Sequence, residues 1–155
     1  MPFANDLLEQ SRHLANREPK RPRQASLRRA ISTAYYALFH LLTTAGVSKW
    51  KIVRQRAALA RAFDHRKMKD ACSKFKPEQY PNATAASVRH LQAIEKAFIE
   101  LQQHRHTADY DNSKKWARTE VLAQIQSAQA AFDSWGVIAD EQMAEDFVLQ
   151  LLIQR

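Results

Sequence analysis

Glycine is nearly missing: Gly46 and Gly136 are the two in 155 residues. A strand-rich chain needs a turn signal at roughly every 8–12 residues, so a fold built of tight hairpins is excluded. Neither glycine has another close by, which also excludes a glycine-rich phosphate loop. There is no nucleophile elbow either. A single cysteine, Cys72, excludes an internal disulfide and suits a reducing, cytoplasmic compartment. His40, His65, His90, His104 and His106 follow no zinc-ligand spacing, so neither a metal nor another cofactor is expected. No window of about 18 apolar residues exists, so no helix is expected to span a membrane. Residues 1–17 carry Asp6 and Glu9 and lack the uninterrupted apolar core of a signal peptide.

What is abundant points one way. Ala, Leu, Gln, Lys, Arg and Glu dominate, and all favour helices. Apolar residues make up 45%, enough for one core in a chain of this length. The expectation is a single all-α domain over residues 1–155. Its charge is lopsided. Residues 1–76 hold 17 Lys/Arg against 5 Asp/Glu, a balance of +12; residues 77–155 hold 7 against 11, a balance of −4; the net is +8. A basic half of this kind suits an anionic partner such as nucleic acid or nucleotide. It equally suits a solvated basic surface, or two opposite halves meeting in a dimer.

Periodicity predicts a helix over 5–17, with Asn5 or Asp6 as its cap, ended by Pro19 and Pro22. A second runs over 24–45, with Gly46 as C-cap. It is apolar on most sides, which places it at the centre of a bundle. Residues 53–75 read as one or two short helices, broken at Asp64-His65 and dense in Arg and Lys. After a loop over 76–82, a fourth helix is predicted to 106, capped by Asn82 or Thr84. A fifth covers 113–135, closed by Gly136, and a last amphipathic helix covers 140–153. Trp50, Trp116 and Trp135 read as core or interface anchors. Tyr80 reads as a surface turn residue or a base-stacking ring.

In the fourth helix Leu91, Ile94, Phe98 and Leu101 step by 3 and 4 along one face. The same step reaches Arg105 and then Asp109. An arginine on an inward face is costly without partners. It either pairs with Asp109 to fix the helix end, or faces a cleft where its fork binds phosphate. Ser32, Tyr36 and His40 follow one another a turn apart on the second helix. They read as hydrogen-bonded core groups or as the lining of that cleft.

The run from Leu27 to His40, with Ala34-Tyr35-Tyr36-Ala37-Leu38-Phe39-His40 at its centre, resembles the signature of HEPN domains. The stretch Arg105-His106-Thr107-Ala108-Asp109-Tyr110 resembles the Arg-x-x-Ala-Asp-Tyr segment of one group of that family. Asp64-His65 lies where that group shows a further histidine. The likeness covers about residues 24–135. It implies a four- to five-helix up-and-down bundle, here with an extra C-terminal helix, and a homodimer. It also implies RNA or nucleotide binding in toxin–antitoxin or defence systems, beside a nucleotidyltransferase-type partner. Active ribonucleases of the family carry Arg, four to six residues, then His. After Arg105 those positions hold Tyr110, Asp111 and Asn112. The phosphate-stabilising arginine is present and the proton-transferring histidine is not, unless His40 or His65 supplies it from another helix.

The favoured expectation is a HEPN-like binder of RNA or nucleotide, non-catalytic or dependent on a partner. Arg105, Asp109, Tyr110, Ser32, Tyr35, Tyr36, Arg28 and Arg29 would form its ligand site. One alternative is a metal-independent endoribonuclease toxin with Arg105, His40 and His65 as catalytic candidates. The other is a helical protein–protein interaction module in which Arg105–Asp109 is purely structural.

Overall fold

A computed structural model describes residues 2–153. Among them are seven α-helices and no strand: α1 (Pro2–Ala15), α2 (Gln24–Ser48), α3 (Arg56–Arg61), α4 (His65–Lys74), α5 (Ala85–Tyr110), α6 (Arg118–Ile138) and α7 (Gln142–Ile153). Single 3₁₀ turns lie at Val53–Gln55 and Pro77–Gln79. The fold is an all-α bundle. No described helix is long and apolar enough to cross a membrane.

α2 packs against α1, α5 and α6, and its far end also meets α3 and α7. That placement follows from its composition. Leu27, Ala30, Ile31, Ala34, Tyr35, Ala37, Leu38 and Leu42 are fully buried and cover most of its circumference. Each buried large side chain contributes roughly 1.5–3 kcal/mol relative to exposure. The α5 stripe behaves as its spacing requires: Leu91, Ile94, Phe98 and Leu101 are sealed in the core.

Several boundaries differ from the sequence-based expectation. α1 starts at Pro2, so Asn5 and Asp6 lie within the helix, and it ends at Ala15, before Arg17 and the prolines. α2 runs through Gly46 to Ser48, so Gly46 is not a cap. A Cβ at Gly46 would lie 2.8 Å from Val148 Cγ1 and 3.0 Å from Phe63 Cζ. The glycine therefore lets α2 approach α7 and Phe63 closely. Gly136 likewise sits inside α6, with nothing within 4 Å of a Cβ built there. α5 continues four residues beyond His106 to Tyr110. Its N-cap is Thr84, whose Oγ1 accepts from Ser87 N at 3.0 Å. α6 begins at Arg118 rather than 113.

The segment before α6 is held by side chains from elsewhere. Gln24 donates to Trp116 O at 2.9 Å and accepts from Trp116 N at 2.8 Å. Glu120 accepts from Ala117 N at 3.0 Å. Trp116 and Trp135 are buried as expected, but Trp50 is not a core anchor: it is 45% exposed beside the C-terminus of α2. Tyr80 turns inward, stacked on Phe75 and donating to Asp146 at 2.9 Å.

Candidate functional site

The break at Asp64-His65 is a helix start. Asp64 Oδ1 accepts from Lys67 N at 2.9 Å and caps α4. That hydrogen bond holds the Asp64 carboxyl below the usual carboxylate range. His65 is thereby fixed as the first residue of α4, against the middle of α2. Its ring stacks on Phe39 at 4.2 Å. Tyr36 meets it edge-on at 5.7 Å, and Nδ1 lies 2.6 Å from the Tyr35 hydroxyl.

The helix α5 brings Arg105 to the same two tyrosines. Because α5 remains helical to Tyr110, Asp109 falls one turn beyond Arg105 on the same face. Arg105 Nη1 lies 3.6 Å from Asp109 Oδ2, an ion pair too long to be a hydrogen bond. Asp109 Oδ1 accepts instead from the Ser32 hydroxyl. The guanidinium carbon lies 5.2 Å from the Tyr35 ring centroid and 5.8 Å from that of Tyr36. Those contacts ease the cost of drawing a cation out of water.

The arginine's donors set it apart. Five arginines are half-buried among the described residues: Arg12, Arg28, Arg56, Arg105 and Arg118. Four of them hydrogen-bond to protein. Arg12 donates to Gln129. Arg28 donates to the carbonyls of Ala108, Asp111 and Lys114. Arg56 donates to those of Trp50 and Ser48, and Arg118 to those of Ala15, Glu18 and Pro19. Arg105, with a side chain only 14% exposed, makes none, and its Nε is shut off from solvent without a partner. Buried donors are almost always satisfied. A guanidinium offering five N–H groups and using none in the protein is an anomaly that a bound anion would resolve.

Other unused groups stand nearby. Tyr36 is half-buried and its hydroxyl makes no hydrogen bond. His40 is half-buried between Phe3, at 5.0 Å, and Tyr36, at 6.5 Å, and burial pulls its pKa down. Burial, and then the charge of Arg105, lower the pKa of His65 as well. Both shifts favour the neutral imidazole. Burial raises the Tyr35 phenol far above its ordinary range, so its proton stays on.

The structure thus gathers Ser32, Tyr35, Tyr36, His65, Arg105 and Asp109 around one point. Arg28 stands apart: its guanidinium closes the C-terminal end of α5 onto the segment leading to α6. Arg29 is exposed without an ion pair, one turn before Ser32 on α2. Tyr110 is 69% exposed and packs on His106. Sequence reasoning missed Phe39 as the shelf under His65. The signal was its position one turn after Tyr35 on the same face. It also missed Phe3, which reaches His40 from α1.

Exposed cations lie along α3, α4 and the segments that flank them. Arg54, Arg61, Arg66, Lys67, Lys74 and Lys76 are exposed, with no side-chain hydrogen bond or ion pair. Arg66 and Lys67 directly follow His65 in α4. Among the described residues no group of three or more His, Cys, Asp or Glu could hold a metal ion. No family model, curated protein or solved structure matches this chain.

Proposed function

We propose that this chain is an RNA- or nucleotide-binding protein of HEPN type that holds a phosphate group at Arg105 without cleaving it. The observation that carries this reading is the half-buried guanidinium whose hydrogen-bonding capacity the protein leaves entirely unused. A guanidinium fork matches phosphate oxygens. Tyr35 and Tyr36 hold it in place before a ligand arrives. The exposed cations of α3 and α4 add sequence-independent attraction for the rest of a polyanion. Arg28 acts as a positioning residue, since it fixes the end of α5 that carries Arg105 and Asp109.

A defence or toxin–antitoxin setting, a homodimer and a nucleotidyltransferase-type partner belong to the same proposal, on the strength of the sequence resemblance. Exposed Trp50, Val53, Val137, Leu149 and Ile153 give such a dimer or complex apolar surface to cover.

One observation favours a second reading. His65 and Arg105 both pack against Tyr35 and Tyr36, so a metal-independent endoribonuclease would have an imidazole and a guanidinium at one phosphate. Incubating labelled single-stranded RNA with pure protein in EDTA separates the two readings. The proposal expects a mobility shift at low salt and intact RNA. Cleavage to cyclic phosphate ends, lost in both Arg105→Ala and His65→Gln, would establish the second reading. The absence of both a shift and cleavage at low salt would contradict both.

A further inference from the structure

The bond between Tyr35 and His65 fixes more than a ring position. Tyr35 is fully buried, so its hydroxyl is closed off from bulk solvent. Its one hydrogen-bond partner is His65 Nδ1, at 2.6 Å. A buried hydroxyl proton without an acceptor is unfavourable, and nothing else is placed to accept it. The phenol therefore donates and Nδ1 accepts. A neutral imidazole that accepts at Nδ1 carries its proton on Nε2. His65 is half-exposed, and its Nε2 makes no hydrogen bond.

The surroundings keep the ring neutral. Arg105 on α5 and the N-terminus of α4, where His65 is the first residue, both disfavour an imidazolium. Among the described residues Asp64 is the only carboxylate acting on it, and it is engaged with the Lys67 backbone. From α2 the ring faces Tyr35, Tyr36, Phe39 and His40. None of these carries a carboxylate.

We propose that Tyr35 locks His65 as the Nε2–H tautomer, so that His65 serves the site as a second neutral donor, and that Arg105 and His65 Nε2–H together hold the non-bridging oxygens of one phosphate. This rests on the anion-binding reading of the Arg105 site. It adds a mechanistic consequence. An imidazole whose lone pair is occupied by Tyr35 and whose other nitrogen bears a proton has no free position to accept one from a ribose hydroxyl. The site then binds a phosphodiester and leaves it intact.

Nitrogen NMR of protein labelled at histidine tests this, with the His65 signals assigned by their loss in His65→Gln. At pH 7 the ligand-free protein is expected to show a proton-bearing Nε2 and a bare, hydrogen-bonded Nδ1. Tyr35→Phe keeps the buried ring and removes only the donor. It should move the His65 nitrogens toward a mixture of tautomers and weaken RNA binding by about three- to tenfold. Adding a short single-stranded RNA should shift the Nε2 proton in the wild type and not in Arg105→Ala. A proton on Nδ1, or on both nitrogens, would overturn this inference while Arg105-dependent RNA binding still stood. The Nε2–H tautomer with no RNA-induced shift would overturn the paired-donor site, and lack of any RNA binding would overturn the anion reading with it.

Discussion

The guanidinium carbon of Arg105 lies 5.2 Å from the centroid of the Tyr35 ring, yet none of its N–H groups is hydrogen-bonded to the protein. Packing therefore holds the cation in place while its directional donors stay unused. A structural arginine shows the opposite pattern, and Arg28 and Arg118 on the same molecule illustrate it.

Arg28 satisfies three main-chain carbonyls at once, at 2.8, 2.9 and 2.6 Å. Arg28→Ala leaves those acceptors to find water. It is expected to destabilise the fold by about 1–3 kcal/mol, read as a lower midpoint in urea. RNA affinity should also fall, because the end of α5 loosens. An unchanged midpoint would contradict the clamp.

The basic surface makes a separable prediction. The logarithm of the RNA association constant should fall linearly with the logarithm of salt concentration. Replacing Lys67 or Arg66 by Ala should reduce that slope by about 1 and weaken all RNA sequences alike. A slope that survives both substitutions would place the phosphates elsewhere.

The two glycines predict opposite outcomes. Gly46→Ala forces a methyl group against Val148 and Phe63, at 2.8 and 3.0 Å. It should destabilise the protein by about 1–2 kcal/mol despite the better helix former. Gly136→Ala meets open space and should stabilise by about 0.5–1 kcal/mol. Thermal melts of the two variants should move to opposite sides of the wild type.

Glu95 is 7% exposed, with no hydrogen bond or ion pair. Burial first, then the charge of Glu78 and against the pull of Lys76, pushes its pKa from 4.5 up to about 8. The folded state thus holds this proton where the unfolded chain has lost it. The contribution to stability is full below the unfolded value and is lost as pH rises from about 4.5 toward 8. Glu95→Gln should remove that slope and be the more stable protein at pH 8. Parallel stability profiles for mutant and wild type between pH 5 and 8 would contradict it.

Much of the fold was legible because helical spacing reports burial directly. The 3- and 4-residue steps from Leu91 to Leu101 gave the inner face of α5, and the apolar girth of α2 gave its central place. Boundaries were less legible. Gly46 and Gly136 looked like helix ends because glycine serves there often. Here one answers to Val148 across the bundle, a contact no local pattern carries. At the site, the Arg105–Asp109 step followed from continuing one stripe. The Tyr35–His65 bond did not, since it joins residues 30 apart through a helix start that only the folded chain brings against α2. Arg28 looked like a ligand residue for a similar reason: its carbonyl partners lie 80 or more residues away.

The most direct test is RNA affinity by fluorescence anisotropy at low salt for wild type, Arg105→Lys and Arg105→Ala, with urea unfolding of each. Loss of tenfold or more in affinity is expected for both variants, since lysine lacks the planar fork. Stability should stay within about 1 kcal/mol of the wild type, because the side chain gives up no hydrogen bond. Undiminished affinity in Arg105→Ala, with a stability loss of about 3–5 kcal/mol, would show that the arginine is a structural partner of Asp109 and not a phosphate ligand.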